Sequence, residues 1–243
     1  MHEIHLASNV LFNIGPLAVT NAILATWLGM LVILAISAAA TFNLKSIPTG
    51  FQNLVEWIIE ELLGLIEGVT GDRRRAEQFL PILATFFVFI LVMNWMELIP
   101  GFGSLTIGGT PLLRSANTDL NTPLALALIS VIGTQIFGIL AVGFWQNLGH
   151  YISFKGPIEF FVGILHLIGE LAKIMSFAFR LFGNIFAGEV LLVVITFLVP
   201  YIVPMPFYAI EVFVGFVQAL VFTMLTLVFM TIATTPHHEA EGH

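Results

Sequence analysis

The sequence predicts an all-α polytopic membrane protein with about five membrane-crossing helices and one amphipathic interfacial helix. Of its 243 residues, 58% are hydrophobic and 9% are charged, and the mean hydropathy is +1.00. The apolar residues form several runs long enough to cross a hydrocarbon layer of about 30 Å. Because that layer holds no water, each backbone amide needs a partner within its own segment, which favours helices. We interpret residues 1–243 as a single transmembrane domain.

The N-terminal part of the chain predicts an outer segment, over residues 1–17, and the first crossing helix. Residues 1–20 hold no Lys or Arg, so the positive region of a cleavable signal peptide is missing and we expect a mature N-terminus. The apolar stretch over residues 18–42 is long enough to cross the bilayer. It ends where Lys45 and Pro48 supply a charge and a helix-breaking residue.

An amphipathic helix is predicted over residues 51–69. Its apolar side chains recur at helical spacing: Phe51, Leu54, Ile58, Leu62, Leu65 and Val69. Its glutamates fall elsewhere on the helical wheel: Glu56, Glu60, Glu61 and Glu67. A helix with one apolar face can lie on the membrane, pack against a partner helix or pack on its own domain. The sequence leaves these alternatives open.

Two further crossings are predicted in the middle of the chain, over residues 79–99 and 123–143. The segment before them, GDRRRAEQ, is polar and basic, which indicates a loop. Between them, Pro100 and the glycines of GFGSLTIGGTP indicate a loop that continues to RSANTDLNTP. The segment WQNLGHYISFKGP then predicts a short return loop.

The last two crossings, over residues 157–199 and 207–233, are long. After Pro157 the first of them contains no further proline, and a helix of that length extends about 65 Å, roughly twice the hydrocarbon thickness. It must therefore lie very oblique to the membrane normal, or its first part must run along the interface. The chain ends in TTPHHEAEGH, which we interpret as a solvated tail.

The distribution of Lys and Arg among the loops predicts the orientation of the chain. If the N-terminus is outside, the outer loops hold only Arg114. The inner loops then hold the other basic loop residues: Lys45, Arg73, Arg74, Arg75 and Lys155. We therefore expect the N-terminus outside and the C-terminus in the cytoplasm.

Polar and ionisable residues share one face of the helix predicted over residues 157–199. They are Glu159, His166, Glu170, Lys173, Ser176, Arg180 and Asn184. An arginine at the centre of a lipid-facing helix is unfavourable by roughly 2.5–3.5 kcal/mol on insertion scales, so this face is expected to meet a partner, a neighbouring helix or water. Glu189 falls nearly opposite Arg180, and in the last helix Glu211 and Gln218 share a face. One buried ion pair that fixes helix register would explain a single such residue, but not the whole set.

Several other classes of protein fit the sequence less well. The absence of cysteine excludes disulfides and thiol chemistry, and the basic clustering expected of nucleic-acid binding is missing. His166 and Glu170 are four residues apart and could reach one metal ion, but two ligands are too few and no third is evident. There is also no phosphate-binding GxxxxGK[ST] loop and no nucleophile constellation. These residues therefore favour a chain with no metal and no cofactor.

Two membrane-protein alternatives remain at this point. A secondary ion-coupled transporter would also bury Arg and Glu, but would usually show inverted repeats or helices broken by Gly and Pro at matching positions. An intramembrane metal-dependent hydrolase could use His166 and Glu170, but lacks a third ligand and a nucleophile.

Five motifs along nearly the whole chain resemble subunit a of the rotary F-type ATP synthases. The most specific is RLFGNIFAGE, from Arg180 to Glu189. The others, in chain order, are PTGFQNLVEW, MNWMELIPG, ANTDLN and VQALVFTMLTLVFM. The resemblance implies a non-catalytic stator subunit with no ATP chemistry of its own. Its implied partners are the ring of c subunits, b-type peripheral stalk subunits and membrane lipid, and its last two helices are implied to be strongly tilted. The lack of a targeting segment favours a bacterial plasma membrane, with an organelle-encoded copy as the alternative.

The resemblance also implies roles for individual residues. Arg180 matches the essential arginine that faces the c-ring and separates two offset half-channels. The outer half-channel, through which protons enter, is implied to use Asn94, Glu97, Asn184, Glu189, Glu211 and Gln218. The inner half-channel is implied to use His166, Glu170, Lys173 and Ser176. Three positions depart from the family pattern: Glu189 and Glu211 are both carboxylates where one is often histidine, His166 stands where Glu is common, and Ile174 stands where Pro is common.

Overall fold

The computed structural model confirms the all-α polytopic fold. It describes residues 9–15, 17–42, 44–45, 47–48, 50–99, 101–102, 106–107, 110–144, 157–200 and 202–235. The described residues form six α-helices: α1 (Asn21–Thr41), α2 (Phe51–Thr70), α3 (Arg73–Glu97), α4 (Asn121–Val142), α5 (Pro157–Leu198) and α6 (Pro204–Thr234). All except α2 are long and apolar enough to cross a membrane. Lys155 and the HHEAEGH tail lie outside the described residues.

The helix α3 begins earlier than the predicted residue 79, because local capping favours a tight corner after α2. Gly71 ends α2 with a φ of 69°, a left-handed conformation that suits glycine. The Asp72 side chain then accepts a hydrogen bond from the Arg74 backbone N–H at 2.9 Å and starts α3. Most of GDRRRAEQ, predicted as a loop, is therefore the first turns of a helix.

Two short β-hairpins occur where the sequence predicted none, and the first of them occupies residues 18–20, which were predicted as the start of the first crossing helix. The first pairs β1 (Val10–Ile14) with β2 (Leu17–Thr20), and the second pairs β3 (Thr106–Ile107) with β4 (Thr110–Pro111), both antiparallel. Both lie outside the membrane-length helices, where water can satisfy the free strand edges. Residues 1–8 of the predicted outer segment lie outside the described part of the chain.

Asn21, at the start of α1, joins the two hairpins. Its side-chain oxygen accepts from the Asn9 backbone N–H at 3.2 Å, and its amide donates to the Pro111 carbonyl at 3.3 Å. Asn21 is fully buried, so its side-chain amide is shielded from water. The N-terminal hairpin, the β3–β4 hairpin and α1 therefore meet at one end of the bundle.

The core of the bundle lies around α3 and α6, which pack against each other and against most other helices. Phe86 of α3, Phe222 of α6 and Phe177 of α5 form its aromatic centre, with Phe177 and Phe222 ring centroids 4.9 Å apart. Polar contacts supplement this packing, since the Ser130 and Thr226 hydroxyls lie 2.8 Å apart between α4 and α6. The position of α6 is thus fixed by neighbours on several sides.

The amphipathic helix α2 packs on its own domain with only part of its apolar surface. Leu62, Leu63 and Ile66 are buried, the last two in a cluster with α3 and α6. Leu65, which the sequence placed on the packed stripe, is exposed, because the contact with α3 lies to one side of that stripe. Other apolar residues of α2 are exposed as well: Phe51, Leu54, Trp57, Ile59 and Val69. One face therefore packs internally, as one of the alternatives proposed.

The helix α5 is continuous over 42 residues. At 1.5 Å per residue it is about 63 Å long, which exceeds the thickness of the hydrocarbon layer. Much of its first half is exposed, including Phe161 and Leu171, while Phe177, Leu181 and Ile185 are buried in the core. The helix therefore contacts the bundle mainly through its central turns.

Gly138 allows α4 to approach α6 closely, and this yields a test of the packing. A Cβ at residue 138 would lie 3.2 Å from the Ala233 carbonyl oxygen, whereas a Cβ at Gly64 of α2 would meet nothing within 4 Å. We expect Gly138→Leu to lower stability by about 1–3 kcal/mol through overpacking. The matched Gly64→Leu should not destabilise the chain, since leucine favours helix more than glycine does.

The measurement is the midpoint temperature of thermal unfolding in mild detergent. Equal midpoints for the two variants would contradict the close approach of α4 and α6.

Candidate functional site

The polar side chains of α5 meet α6 along an antiparallel contact between these two helices. The Asn184 amide donates to Gln218 Oε1 at 3.4 Å, and the Lys173 ammonium lies 4.6 Å from the centroid of the Phe229 ring. Further along, Gly188 of α5 lies against the Glu211 carboxylate. Residue numbers rise on α5 as they fall on α6, so the two helices are antiparallel. Their polar residues contact each other at several points along this pairing.

Towards the N-terminal end of α5, Lys173 and Glu170 form an ion pair. Lys173 Nζ lies 2.7 Å from Glu170 Oε1, and both side chains are partly buried. The contact with Phe229 adds a cation–π interaction that ties this pair to α6. His166, one turn before Glu170, is exposed.

Arg180, at the centre of α5, is exposed. Its Nη2 donates to Ser176 Oγ at 3.3 Å, and in the described part of the chain no carboxylate lies within ion-pair distance of its guanidinium. A guanidinium keeps its proton under all accessible conditions. The positive charge of Arg180 is therefore presented outward from the bundle.

Three carboxylates from three helices approach each other beyond Arg180. Glu97 at the end of α3 is close enough to Glu189 of α5 and Glu211 of α6 to interact with both electrostatically, and also with Arg114. All three are partly buried. Among the described residues, no group of His, Cys, Asp or Glu has a geometry that could hold a metal ion.

The Glu211 carboxylate occupies space that is open only because residue 188 is a glycine. A Cβ built on Gly188 would overlap Glu211 Oε1 and Cδ. Gly188 directly precedes Glu189, so the glycine that makes room for the Glu211 carboxylate is the chain neighbour of a second carboxylate residue. Gly188 therefore acts as the seat for the Glu211 carboxylate.

Buried polar atoms in this region have unused hydrogen-bonding capacity. In the described part of the chain, Asn117 Oδ1, Glu211 Oε1 and Gln218 Nε2 are buried without a hydrogen-bond partner. Buried polar groups are nearly always satisfied, by protein or by ordered water. These atoms mark positions where water can bind between α3, α6 and the loop that contains Asn117.

The structure separates the predicted site residues into two groups along α5. Lys173 lies seven residues before Arg180, about 10 Å along the axis, and Glu189 lies nine residues after it, about 13 Å in the other direction. Glu189 also lies on nearly the opposite side of the helix from Arg180. One group contains Glu170 and Lys173, and the other contains the three carboxylates.

Sequence reasoning missed several residues of this site. Arg114 and Asn117 lie in the RSANTDLN segment, which matched a family motif but gave no signal of its own for a role. Trp95 donates its indole N–H to the Val212 carbonyl at 3.0 Å. Gly188 has no signal except its place before Glu189. All four act through contacts between distant segments.

The comparisons with known proteins decide the family. The family described as "ATP synthase A chain" matches residues 23–231. The chain belongs to this family. Among its relatives, "ATP synthase subunit a" of Moorella thermoacetica is 33% identical over 226 residues, which cover 93% of this chain and 96% of the relative. "ATP synthase subunit a 2" of Bradyrhizobium sp. is 34% identical over 95% of this chain and 96% of the relative. "ATP synthase subunit a" of Geobacter sulfurreducens is 35% identical over 86% of each chain.

Membership of the ATP synthase A chain family confirms the resemblance seen in the sequence. It places the chain, as a multi-pass protein, in the membrane sector of an F-type ATP synthase, in a complex with other subunits.

The contact between Gly188 and Glu211 can be tested by a double-mutant cycle. Gly188→Ala places a methyl group where the Glu211 carboxylate lies, so we expect it to lower the midpoint of thermal unfolding in detergent. Glu211→Asp shortens the side chain by one methylene, so the double variant should recover part of the loss. The expected coupling is about 0.5–3 kcal/mol.

Gly183→Ala on the same helix is the control, because its added Cβ would meet nothing within 4 Å. Strictly additive effects of Gly188→Ala and Glu211→Asp would mean that the two residues do not touch.

Proposed function

We propose that this chain is the non-catalytic stator subunit of the ATP synthase membrane sector, and that it provides two offset proton half-channels to a rotating c-ring. The observation that supports this most strongly is Arg180, an outward-facing charge with no carboxylate within ion-pair distance in the described part of the chain. On a membrane-length helix such a charge is costly unless it meets a partner or water. The partner we propose is the carboxylate of a c subunit.

The surface around Arg180 suits a helix that moves past it. Between residues 169 and 187, one side of the Arg180 face of α5 holds small side chains: Gly169, Ala172, Ser176, Gly183 and Ala187. Lys173 and Asn184, on the other side of Arg180, contact α6 through Phe229 and Gln218. A Cβ at Gly169 or at Gly183 would meet nothing within 4 Å. Small side chains allow two helices in a membrane to approach closely. This surface therefore favours a smooth helical partner, as a rotor ring would be.

The fixed charge of Arg180 explains how the two half-channels are kept separate. A guanidinium cannot relay a proton itself, but it repels protons and favours the ionised form of a nearby carboxylate. A proton must then leave the ring carboxylate before that carboxylate passes Arg180. Transport therefore requires a moving carrier, and a membrane potential contributes about 2.3 kcal/mol per charge per 100 mV.

The outer half-channel is assigned to the carboxylate group beyond Arg180. Glu97, Glu189 and Glu211 supply proton-exchanging side chains, and the unsatisfied atoms of Asn117 and Gln218 supply sites for water. Asn184 bonds Gln218 at the approach to Arg180. Asn94, one turn before Glu97, bonds the Gly215 carbonyl, one turn after Glu211. Together they offer a polar route from the end of the bundle that holds the hairpins towards the face of α5.

The inner half-channel is assigned to the other group on α5. Glu170, Lys173 and Ser176 lie between Arg180 and the N-terminal end of the helix, with exposed His166 beyond them. The Glu170–Lys173 ion pair would restrict proton exchange along this route, since each of its charges is already neutralised by the other.

The same proposal fixes the orientation and the remaining partners. Lys45 and the Arg73–Arg75 run lie at the end of the bundle opposite the hairpins, which supports a cytoplasmic location for that end and an outer N-terminus. We place the chain in a bacterial plasma membrane, with lipid and b-type stalk helices as partners for exposed apolar faces such as that of α1.

Replacement of Arg180 tests the barrier directly. Arg180→Ala should leave the complex assembled but abolish ATP synthesis driven by a proton gradient, because protons would no longer be forced to travel on the ring. Arg180→Lys keeps the charge but loses the planar fork, so we expect a severe defect there as well. ATP synthesis and assembly are measured in the same membrane vesicles, and coupled synthesis by Arg180→Ala would refute the barrier.

Thiol labelling from each side of the membrane tests the two half-channels. The chain contains no cysteine, so single cysteines report without background from this subunit. Cysteines at Glu97, Glu189 or Glu211 should react with a polar reagent supplied outside, and those at His166 or Lys173 with reagent supplied inside.

Ile136→Cys, on the exposed apolar face of α4, is the control and should react poorly from both sides. Equal labelling of all channel positions from both sides would indicate one continuous pore and overturn the proposal.

A further inference from the structure

Two neighbouring side chains of α3 donate hydrogen bonds to the backbone of α6. Trp95 Nε1 donates to the Val212 carbonyl and Asn94 Nδ2 donates to the Gly215 carbonyl, each at 3.0 Å. Both carbonyls lie inside α6, where each already accepts a main-chain N–H, but a carbonyl oxygen has two lone pairs and can accept a second bond. The two bonds therefore join the helices without breaking α6.

The two bonds hold the helical turn that directly follows Glu211, one near its start and one at its end. Val212 follows Glu211 directly, and Gly215 lies one turn further on. Gly215 also permits the close approach, since a Cβ there would lie 3.1 Å from Asn94 Cβ. Two bonds from consecutive residues to carbonyls three residues apart fix both the height and the rotation of this turn.

The outer loop orients one of the two donors. Asn117 Nδ2 donates to Asn94 Oδ1 at 2.6 Å, and both residues are buried. Because its oxygen is bonded to Asn117 and its amide group to Gly215, the orientation of the Asn94 side chain is fixed. A chain of hydrogen bonds therefore runs from the loop through α3 to α6.

We propose that Asn94 and Trp95 are positioning residues, which form a clamp that holds the Glu211 carboxylate in its seat against Gly188. The clamp sets α6 against α3, while the seat belongs to α5, so Glu211 is located by three helices at once. Glu97, two residues after Trp95, is placed relative to Glu211 by the same two bonds. The inference rests on the proposed function, in which Glu211 exchanges protons in the outer half-channel, and assigns Asn94 to positioning rather than to proton exchange.

The test uses Trp95→Phe in the assembled complex, because phenylalanine keeps an aromatic ring but has no N–H to donate. Glu211→Cys reports on the position of the turn, and the rate at which its thiol reacts with a small polar reagent is measured. Loss of one hydrogen bond should raise this rate about fivefold, because the turn would separate from α3 more often. Asn94→Leu should have an effect in the same direction.

Two controls separate positioning from general weakening. Trp57→Phe removes an indole N–H from α2 at a position that is 59% exposed, and it should leave the labelling rate of Cys at 211 unchanged. Thr223→Cys reports on α6 about three turns away, at a buried position. Its labelling rate should not respond to Trp95→Phe. An unchanged rate at 211, or an equal rise at 211 and 223, would overturn the clamp.

Passive proton flux through membranes stripped of the soluble ATPase head separates this inference from the proposed function. With Glu211 present, Trp95→Phe should reduce flux severalfold and Trp57→Phe should not. If Glu211→Gln leaves flux at the wild-type rate, the proposed role of Glu211 fails, while the labelling result still decides the clamp. If Glu211→Gln reduces flux but Trp95→Phe changes neither flux nor labelling, the clamp alone fails.

Discussion

Every helix that crosses the membrane is subject to one constraint: a polar side chain within it needs a partner, on the same helix or on a neighbouring one. The contact between α5 and α6 meets this constraint with pairs that follow one antiparallel register. Asn184 meets Gln218, Gly188 accommodates Glu211, and Lys173 lies over the ring of Phe229. Arg180 has no carboxylate partner within ion-pair distance in the described residues, and the partner we propose for it lies outside the chain.

Much of this arrangement could be predicted from helical periodicity alone. Long apolar runs predicted the five membrane helices, and a period of 3.6 residues placed Arg180 and Glu189 on nearly opposite sides of α5. These are local properties of a helix, so they do not depend on how helices pack. The resemblance to the family, carried chiefly by RLFGNIFAGE, then supplied roles that the residues themselves could only suggest.

What the sequence could not predict depends on contacts between distant segments. Trp95 and Val212 are 117 residues apart, and nothing near either residue signals their hydrogen bond. The buried face of α2 is displaced from its apolar stripe because α3 determines which side is covered. The early start of α3 was missed for a different reason: the cap at Asp72 is a local signal, but the basic run after it indicated a loop.

We propose that the face of α5 around Arg180 meets the carboxylate-bearing helix of the ring, and disulfide cross-linking measures this contact directly. A cysteine at Ala187, on the Arg180 face, is paired with a cysteine one turn from the ring carboxylate in the assembled complex. A cysteine at Leu171 is the control, since it is also exposed but lies on the opposite side of α5. We expect cross-links to the ring from residue 187 and none from residue 171. Cross-links from residue 171 with none from residue 187 would place the ring on the other side of the helix and contradict the role given to Arg180.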